Sequence, residues 1–392
     1  MEVSMIISRC CEESIGCTRG GRLRSVAVGL IVAAFLGAAA AEAQEYEIWA
    51  LDQGTHIVHI YNADLKEANR IDLGVEGARV PHMIDFSSDF SHAVIAATSG
   101  FTVVVRTEDR EIVAQLETGP GSHMASFKPD DSAILVAVIG SGDVQDDGKV
   151  VEVTADLANG TFEIGRSLTI ADDPMVQGAG DRFGDIGAVC HEYSPDGRFA
   201  YVTLGPALDN GGLVVLDTES FQLVKAYAPD ELKVNCGTMP TPDGRHMIVN
   251  GGSADVGVWY ALDMSNHEVV KEGESRGQDA HGVWATPDGR EIWMVNRVSS
   301  NGIVIDAATL EITGELSEVG KTPDIIAMSP DSQRAFITTR GPNPVTAPHV
   351  AKGETPGFAV VSIPDRKLIQ VVQPAEGNEQ SDFHGIGVRA MQ

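Results

Sequence analysis

Four histidines, a cysteine and an aspartate recur at one place in a repeated segment: His82, His123, Cys236, His281, Asp324 and His384. The first five stand five residues ahead of the Ser, Thr or Lys that opens a recurrent turn. His384 joins them because "HGIGVR" matches "HGVWAT", the segment that begins at His281. A seventh equivalent position is Val189, with His191 two residues on and so on the same strand face. Five of the chain's 11 histidines therefore lie on one feature, while neighbouring positions of the repeats have diverged widely. Imidazole and thiolate suit copper, zinc or iron. A ring of histidines could also hold a haem-like macrocycle or an anionic substrate. The plain alternative is a hydrated channel whose polar groups bind nothing.

The elements that must position these residues are strands. The turns are "SSDF", "KPDD", "SPDG", "TPDG", "TPDG" and "SPDS", opening at Ser87, Lys128, Ser194, Thr241, Thr286 and Ser329. Proline presets φ, and Asp and Gly suit the remaining turn positions. After each turn comes a β-run such as "FAYVTL" or "EIWMVN", then a third strand such as "GLVVLD" or "GIVIDA", then a fourth. The C-terminal "DFHGIGVR" begins a unit and stops, while "YEIWALDQGTHIVHIYNADL" at Tyr46 is the rest of a unit lacking its first strand. Joining the two ends completes a seventh unit, which predicts an all-β, seven-bladed propeller closed between its N- and C-terminal strands. In such a fold the recurrent residues lie on the innermost strands and converge at the channel mouth. His384, His82 and His123 fall on three consecutive blades and form the expected best cluster.

In "SPDGRFAYVTLG", "TPDGREIWMVNR" and "SNGIVIDAATLEI" the chain resembles the YVTN-type seven-bladed propeller family over nearly all of Gln44–Gln392. The resemblance implies architecture. It is nearly silent on activity, since related propellers include haem-d1-binding domains, lactonases and proteins of no known chemistry.

Other polar residues end second strands and are expected to face the same mouth: Asp52, Gln53, Asn250, Asn296, Arg297 and Arg340. Asn250, Arg297 and Arg340 are the candidate ligand-holding groups, the two guanidiniums for a carboxylate or phosphate. The Pro/Gly-rich loop from Arg340 to Gly357 offers His349. An acidic insertion carries Asp143, Asp146, Asp147, Asp181 and Asp185; it lacks the spacing of a dedicated calcium loop, so solvated acid is preferred to a calcium site. No G-x-S-x-G elbow, P-loop or dinucleotide fingerprint occurs in a suitable context.

Residues 1–43 read as a secretory signal: Arg19, Arg22 and Arg24, the apolar run Ser25 to Ala41, and "AEA" ahead of a cut near Ala43. That reading places the remaining domain, 44–392, in the periplasm of a Gram-negative source. The net charge of −28 argues against nucleic acid and against anionic lipid as partners, and nothing beyond the signal is apolar enough to span a bilayer. A small-molecule or metal ligand is expected, and a protein partner is open. Cys190 and Cys236 remain after cleavage and could form one bridge. The reading that follows is an exported propeller binding copper, another transition metal or a metal-bearing cofactor, and redox-linked in one version. Its rivals are a lactonase-like hydrolase with a ring histidine as general base, and a non-catalytic scaffold.

Overall fold

Each turn of the repeat is locked by its own first side chain. The Ser194 hydroxyl donates to Asp196 at 2.6 Å and accepts from the Phe199 amide at 3.0 Å. Thr241, Thr286, Ser329 and Ser87 make the same pair of bonds, to Asp243, Asp288, Asp331 and Asp89 and from the amides five residues on. The Ser/Thr-x-Asp signature is thus a hydrogen-bonded clip between first and second strands.

The computed structural model of the chain describes residues 45–142, 147–252, 255–374 and 379–391. The segment read as a signal peptide, together with Asp143 and Asp146, lies outside them. Among the described residues the strands form seven four-stranded antiparallel sheets, so the chain is a seven-bladed β-propeller. Blade 1 is composite: Phe383–Ala390 is its innermost strand and pairs with Tyr46–Asp52, as the two half-units predict. Blades 2 to 7 follow in order, with innermost strands Pro81–Phe86, Ser122–Phe127, Gly187–Tyr193, Thr238–Pro240, Ala280–Ala285 and Pro323–Met328.

Apolar layers between blades hold the ring together. Trp49, Leu51 and Ile60 of blade 1 pack on Ile84, Ile95 and Val103 of blade 2. At the seam, Ile48, Tyr61 and Phe383 of blade 1 pack on Ile325, Phe336 and Phe358 of blade 7. Closure is therefore a buried interface as well as a hydrogen-bonded one. The insertion after Thr169 adds one short helix, Pro174–Ala179, capped by Asp173 on the Met175 amide. Among the described residues no helix is long and apolar enough to cross a membrane.

Candidate functional site

The ring residues point where they do because the innermost strands are bulged at them. Pairing with the second strand skips across His82, across His123, across Val189 and Cys190, across His281 and Gly282, and across Asp324 and Ile325. A bulge leaves its residue unpaired and re-aims the side chain, here toward the channel mouth. The blades also approach unusually closely at these points. A Cβ on Gly237 would stand 2.7 Å from the His281 carbonyl, one on Gly282 2.3 Å from that of Asp324, and one on Gly385 2.4 Å from that of His82. The Cys-Gly and His-Gly pairs are therefore a packing requirement.

Polar residues of the second strands fasten the same points to the next blade. The Thr338 hydroxyl donates to the His384 carbonyl at 2.6 Å, Thr203 to that of Cys236 at 2.7 Å, and the Asn250 amide to that of His281 at 2.9 Å. Asn250 also accepts from the Gly237 amide at 2.9 Å. Its expected role in holding a ligand is corrected: it is fully buried and joins two blades.

His82 lies against both His123 and His384. His82 and His123 share a hydrogen bond between their Nε2 atoms at 2.8 Å. His82 and His384 stack, with ring centroids 3.6 Å apart at 21°. Gln53 Oε1 accepts from His82 Nδ1 at 2.8 Å, so a neutral His82 has its lone pair on Nε2 and His123 supplies the shared proton. His384 Nδ1 donates to the His82 carbonyl at 3.0 Å, which leaves the His384 Nε2 lone pair free. Burial, reinforced by neighbouring imidazoles and by Arg340, holds His82 and His384 far below the ordinary imidazole range. Burial also takes His123 to about 4. All three are neutral, and so competent as ligands or bases.

The set His384, His82 and His123 thus assembles, but as a stack and a hydrogen bond. A second set converges better. Ligand atoms of His281, Asp324 and His384 all lie within 4.8 Å of one another. His281 Nε2 is 2.9 Å from Asp324 Oδ1, His384 Nε2 is 3.8 Å from Asp324 Oδ2, and the two imidazoles are perpendicular at 5.8 Å.

Behind this set runs a buried chain of charges. Arg297 Nε donates to Asp279 at 2.7 Å and its Nη1 to Asp324 at 3.3 Å. Arg340 donates to Asp324 at 2.6 Å and grips both oxygens of Asp382 at 2.7 and 2.8 Å. Arg340 is fully buried and its remaining Nη2 bonds go to Thr346, so its expected part as an anion-positioning group is corrected too. Such burial of a guanidinium requires carboxylate partners, and Asp324 comes from its own blade while Asp382 comes from the next. Burial opposes the charge of Asp324, yet protonated His281, Arg297 and Arg340 together hold its carboxyl well below the usual range; neutral His384 adds no charge. His281 shows the converse. Burial and Arg297 disfavour its proton, but the Cys236 sulfur and Asp324 favour it and raise it above the ordinary imidazole range. Cys236 would help only as a thiolate; burial and the Cys190 thiol push it up, so Asp324 is the partner that counts. Three carboxylates and two guanidiniums leave one negative charge, which the His281 proton neutralises.

The remaining expectations divide. Cys236 sits behind His281, its sulfur 2.8 Å from Nδ1, and both Cys190 and Cys236 are free thiols. His191 is not brought to the cluster: it is fully buried and its Nε2 bonds the Ser126 hydroxyl at 2.7 Å. Val189 faces the cavity in its place, because the pairing of that strand skips Val189 and Cys190. Asp147 bonds Ser141, and Asp185 accepts from the Ala207 amide and lines the cavity.

Over the cluster lies a cavity of about 750 Å³ lined by His82, His123, His281, Arg297 and His384. Its roof is Pro206–Leu208 and residues 346–350 of the long loop, including His349. Sequence reasoning missed Asp279, Asp382 and the roof segment at Leu208. The first two had a signal: each stands two residues ahead of a ring histidine, in "DAH" and "DFH".

Deeper in the channel, burial and the Asp85 charge push the Glu192 carboxyl up to about 8. The folded chain then keeps a proton that the unfolded chain releases near 4.5, so stability falls as pH rises between those values. Glu192 is partly exposed, which limits the effect to on the order of 1–2 kcal/mol. Glu192→Gln should remove that slope in melting temperature between pH 5 and 8.5; parallel curves for the two proteins would refute it.

The fold and site together define a propeller with a histidine-lined, roofed channel mouth. No protein-family model and no curated protein matches the sequence. Solved structures do match in fold. A functionally unknown protein from Desulfotomaculum acetoxidans superposes with a TM-score of 0.64 at 14% identity, over 88% of this chain and 99% of that one. Dihydro-heme d1 dehydrogenase NirN, in complex with DHE, gives 0.54 at 15% over 87% and 74%. Kuenenia stuttgartiensis hydrazine synthase gives 0.54 at 16% over 72% and 76%. At these identities the likeness is one of fold.

Proposed function

We propose that the channel mouth is a transition-metal site formed by His281, Asp324 and His384, opening into the roofed cavity. The observation that carries this is the approach of their ligand atoms to within 4.8 Å on three consecutive blades. The free Nε2 of His384 and the perpendicular rings suit two imidazoles on one ion. With Cys236 behind His281, the donors are two nitrogens and a carboxylate oxygen. Copper is the ion that binds such donors most tightly, and the same set serves zinc and iron(II). Three protein ligands leave the other positions open to the cavity, where a metal would act as Lewis acid or redox centre on a bound molecule. NirN, a haem-related propeller of the same fold, is compatible with a metal-bearing cofactor here. The hydrolase reading is weakened, since it relied on two arginines and Arg340 is engaged.

The repeats are read as YVTN-type on "SPDGRFAYVTLG" and its relatives, and the basic, apolar and small-residue N-terminus supports export to the periplasm. The test is to load the purified protein with copper(II), zinc(II) and iron(II) separately and dialyse to equilibrium. One ion per chain, with imidazole nitrogen couplings in the copper electron paramagnetic resonance spectrum, is expected. Retention of none of the three would end the metal reading.

A further inference from the structure

We infer that the roofed cavity takes a small organic monoanion with a compact apolar body, its carboxylate held by Arg297 beside the metal. The inference rests on the metal reading for its charge balance and on the cavity itself for its shape. Arg297 is only 5% exposed, yet it lines the cavity. Its Nε goes to Asp279 and its Nη1 to Asp324, while its Nη2 makes neither of these bonds. Among the described residues that nitrogen has no hydrogen-bond acceptor, and it belongs to a nearly buried side chain that lines the same cavity as His384. A carboxylate is its natural complement, since a guanidinium N–H to a carboxylate is among the stronger hydrogen bonds.

Apart from Thr98, Asp185, Asn235, Thr346 and His349, the rest of the cavity wall is apolar. Ile139, Val189, Ala207, Leu208, Pro348 and Val350 face it. Water over such walls is readily displaced by a flat or branched hydrocarbon body. The volume of about 750 Å³ falls within the range of small-molecule sites, and a molecule of benzoate size leaves room for a second reactant.

Charge decides the number of negative groups. Asp279, Asp324 and Asp382 against Arg297 and Arg340 leave one negative charge in the floor. A divalent ion bound through neutral imidazoles turns that into one positive charge, and a single carboxylate cancels it. A dianion would bury an unpaired charge, and a neutral molecule would leave one.

Titration calorimetry with benzoate and its neutral isostere benzamide tests this on the copper-loaded protein, with the metal-free protein alongside. Benzoate should bind and benzamide should bind at least about tenfold more weakly, the value of one charge-assisted hydrogen bond. Arg297→Lys keeps the charge opposite Asp279 but loses the fork, and should weaken benzoate by a similar factor while copper stays bound. Leu208→Asp, at a half-exposed position of the roof, should also abolish binding without threatening the fold. Equal binding of benzoate and benzamide, or indifference to both substitutions, would overturn the anion site. Failure of the metal reading shows separately, as absence of copper. Benzoate binding to the metal-free chain that still depends on Arg297 would then uphold the carboxylate site alone.

Discussion

The double variant His281→Gln, His384→Gln should lose bound copper by at least about a hundredfold, some 2.7 kcal/mol, while remaining folded. These two residues supply both nitrogens of the proposed set. His82→Ala, His123→Ala should keep its copper within a few-fold, because those imidazoles face each other and not a common point. The two variants remove equal numbers of histidines from one cavity, so the mere loss of two imidazoles cannot account for a difference between them. Equilibrium dialysis against a copper buffer gives both affinities. Loss of copper from the second variant and retention by the first would move the site to the His82 stack and refute the assignment. The pH dependence has a definite sign. Asp324 holds the His281 proton above the ordinary imidazole range, and an incoming ion must displace it. Apparent affinity should therefore rise about tenfold per pH unit from neutrality and level off where His281 loses its proton in the free protein. His281→Gln should flatten that rise.

Why were the strands and the ring legible in the sequence, and the charge chain not? The turns announced themselves because Ser/Thr, Pro, Asp and Gly each do a local job, now visible in bonds such as Ser194 to Asp196. Because the turn is local, counting back from it fixes the register of the preceding strand, and so His82, His123, His281, Asp324 and His384 could be placed. Ring closure was readable from the complementary half-units at Tyr46 and His384. Partners across blades have no such ruler. Arg340 meets Asp382 across 42 positions, and Gln53 meets His82 across 29 and the closing seam's Asp382 across 329. An arginine at a strand end looks like a mouth residue until its carboxylates are found. The same holds for Asn250, whose amide is engaged by the His281 carbonyl of the next blade. His191 failed for a different reason. A strict two-residue alternation places it with Val189, and the bulge at Val189 and Cys190 breaks that alternation. Bulges are invisible to periodicity, yet here they decide which side chains enter the site.

Arg340→Met should be the most destabilising single change considered, by about 3–5 kcal/mol in denaturant unfolding. Arg340 is fully buried and joins Asp324 of blade 7 to Asp382, which precedes the closing strand of blade 1. Removing it leaves two buried carboxylates facing each other with only Arg297 and the His281 proton nearby. Asp382 has further duties, accepting from the Gly341 and Val345 amides, so the damage should extend to the long loop that roofs the cavity. A stabilising replacement of the whole cluster by apolar residues is conceivable for a buried ion network; truncation of one member is the opposite case. Arg340→Lys separates the structural role from a ligand-binding one. Lysine keeps the charge but cannot reach both carboxylates with a planar fork, so roughly half the loss should remain. If Arg340 is structural, the folded fraction of the lysine variant keeps copper and benzoate affinities close to wild type. If it holds the anion, benzoate affinity falls with little change in stability. A methionine variant within about 1 kcal/mol of wild type would show that the chain of charges through Asp324 is not what fastens blade 7 to blade 1.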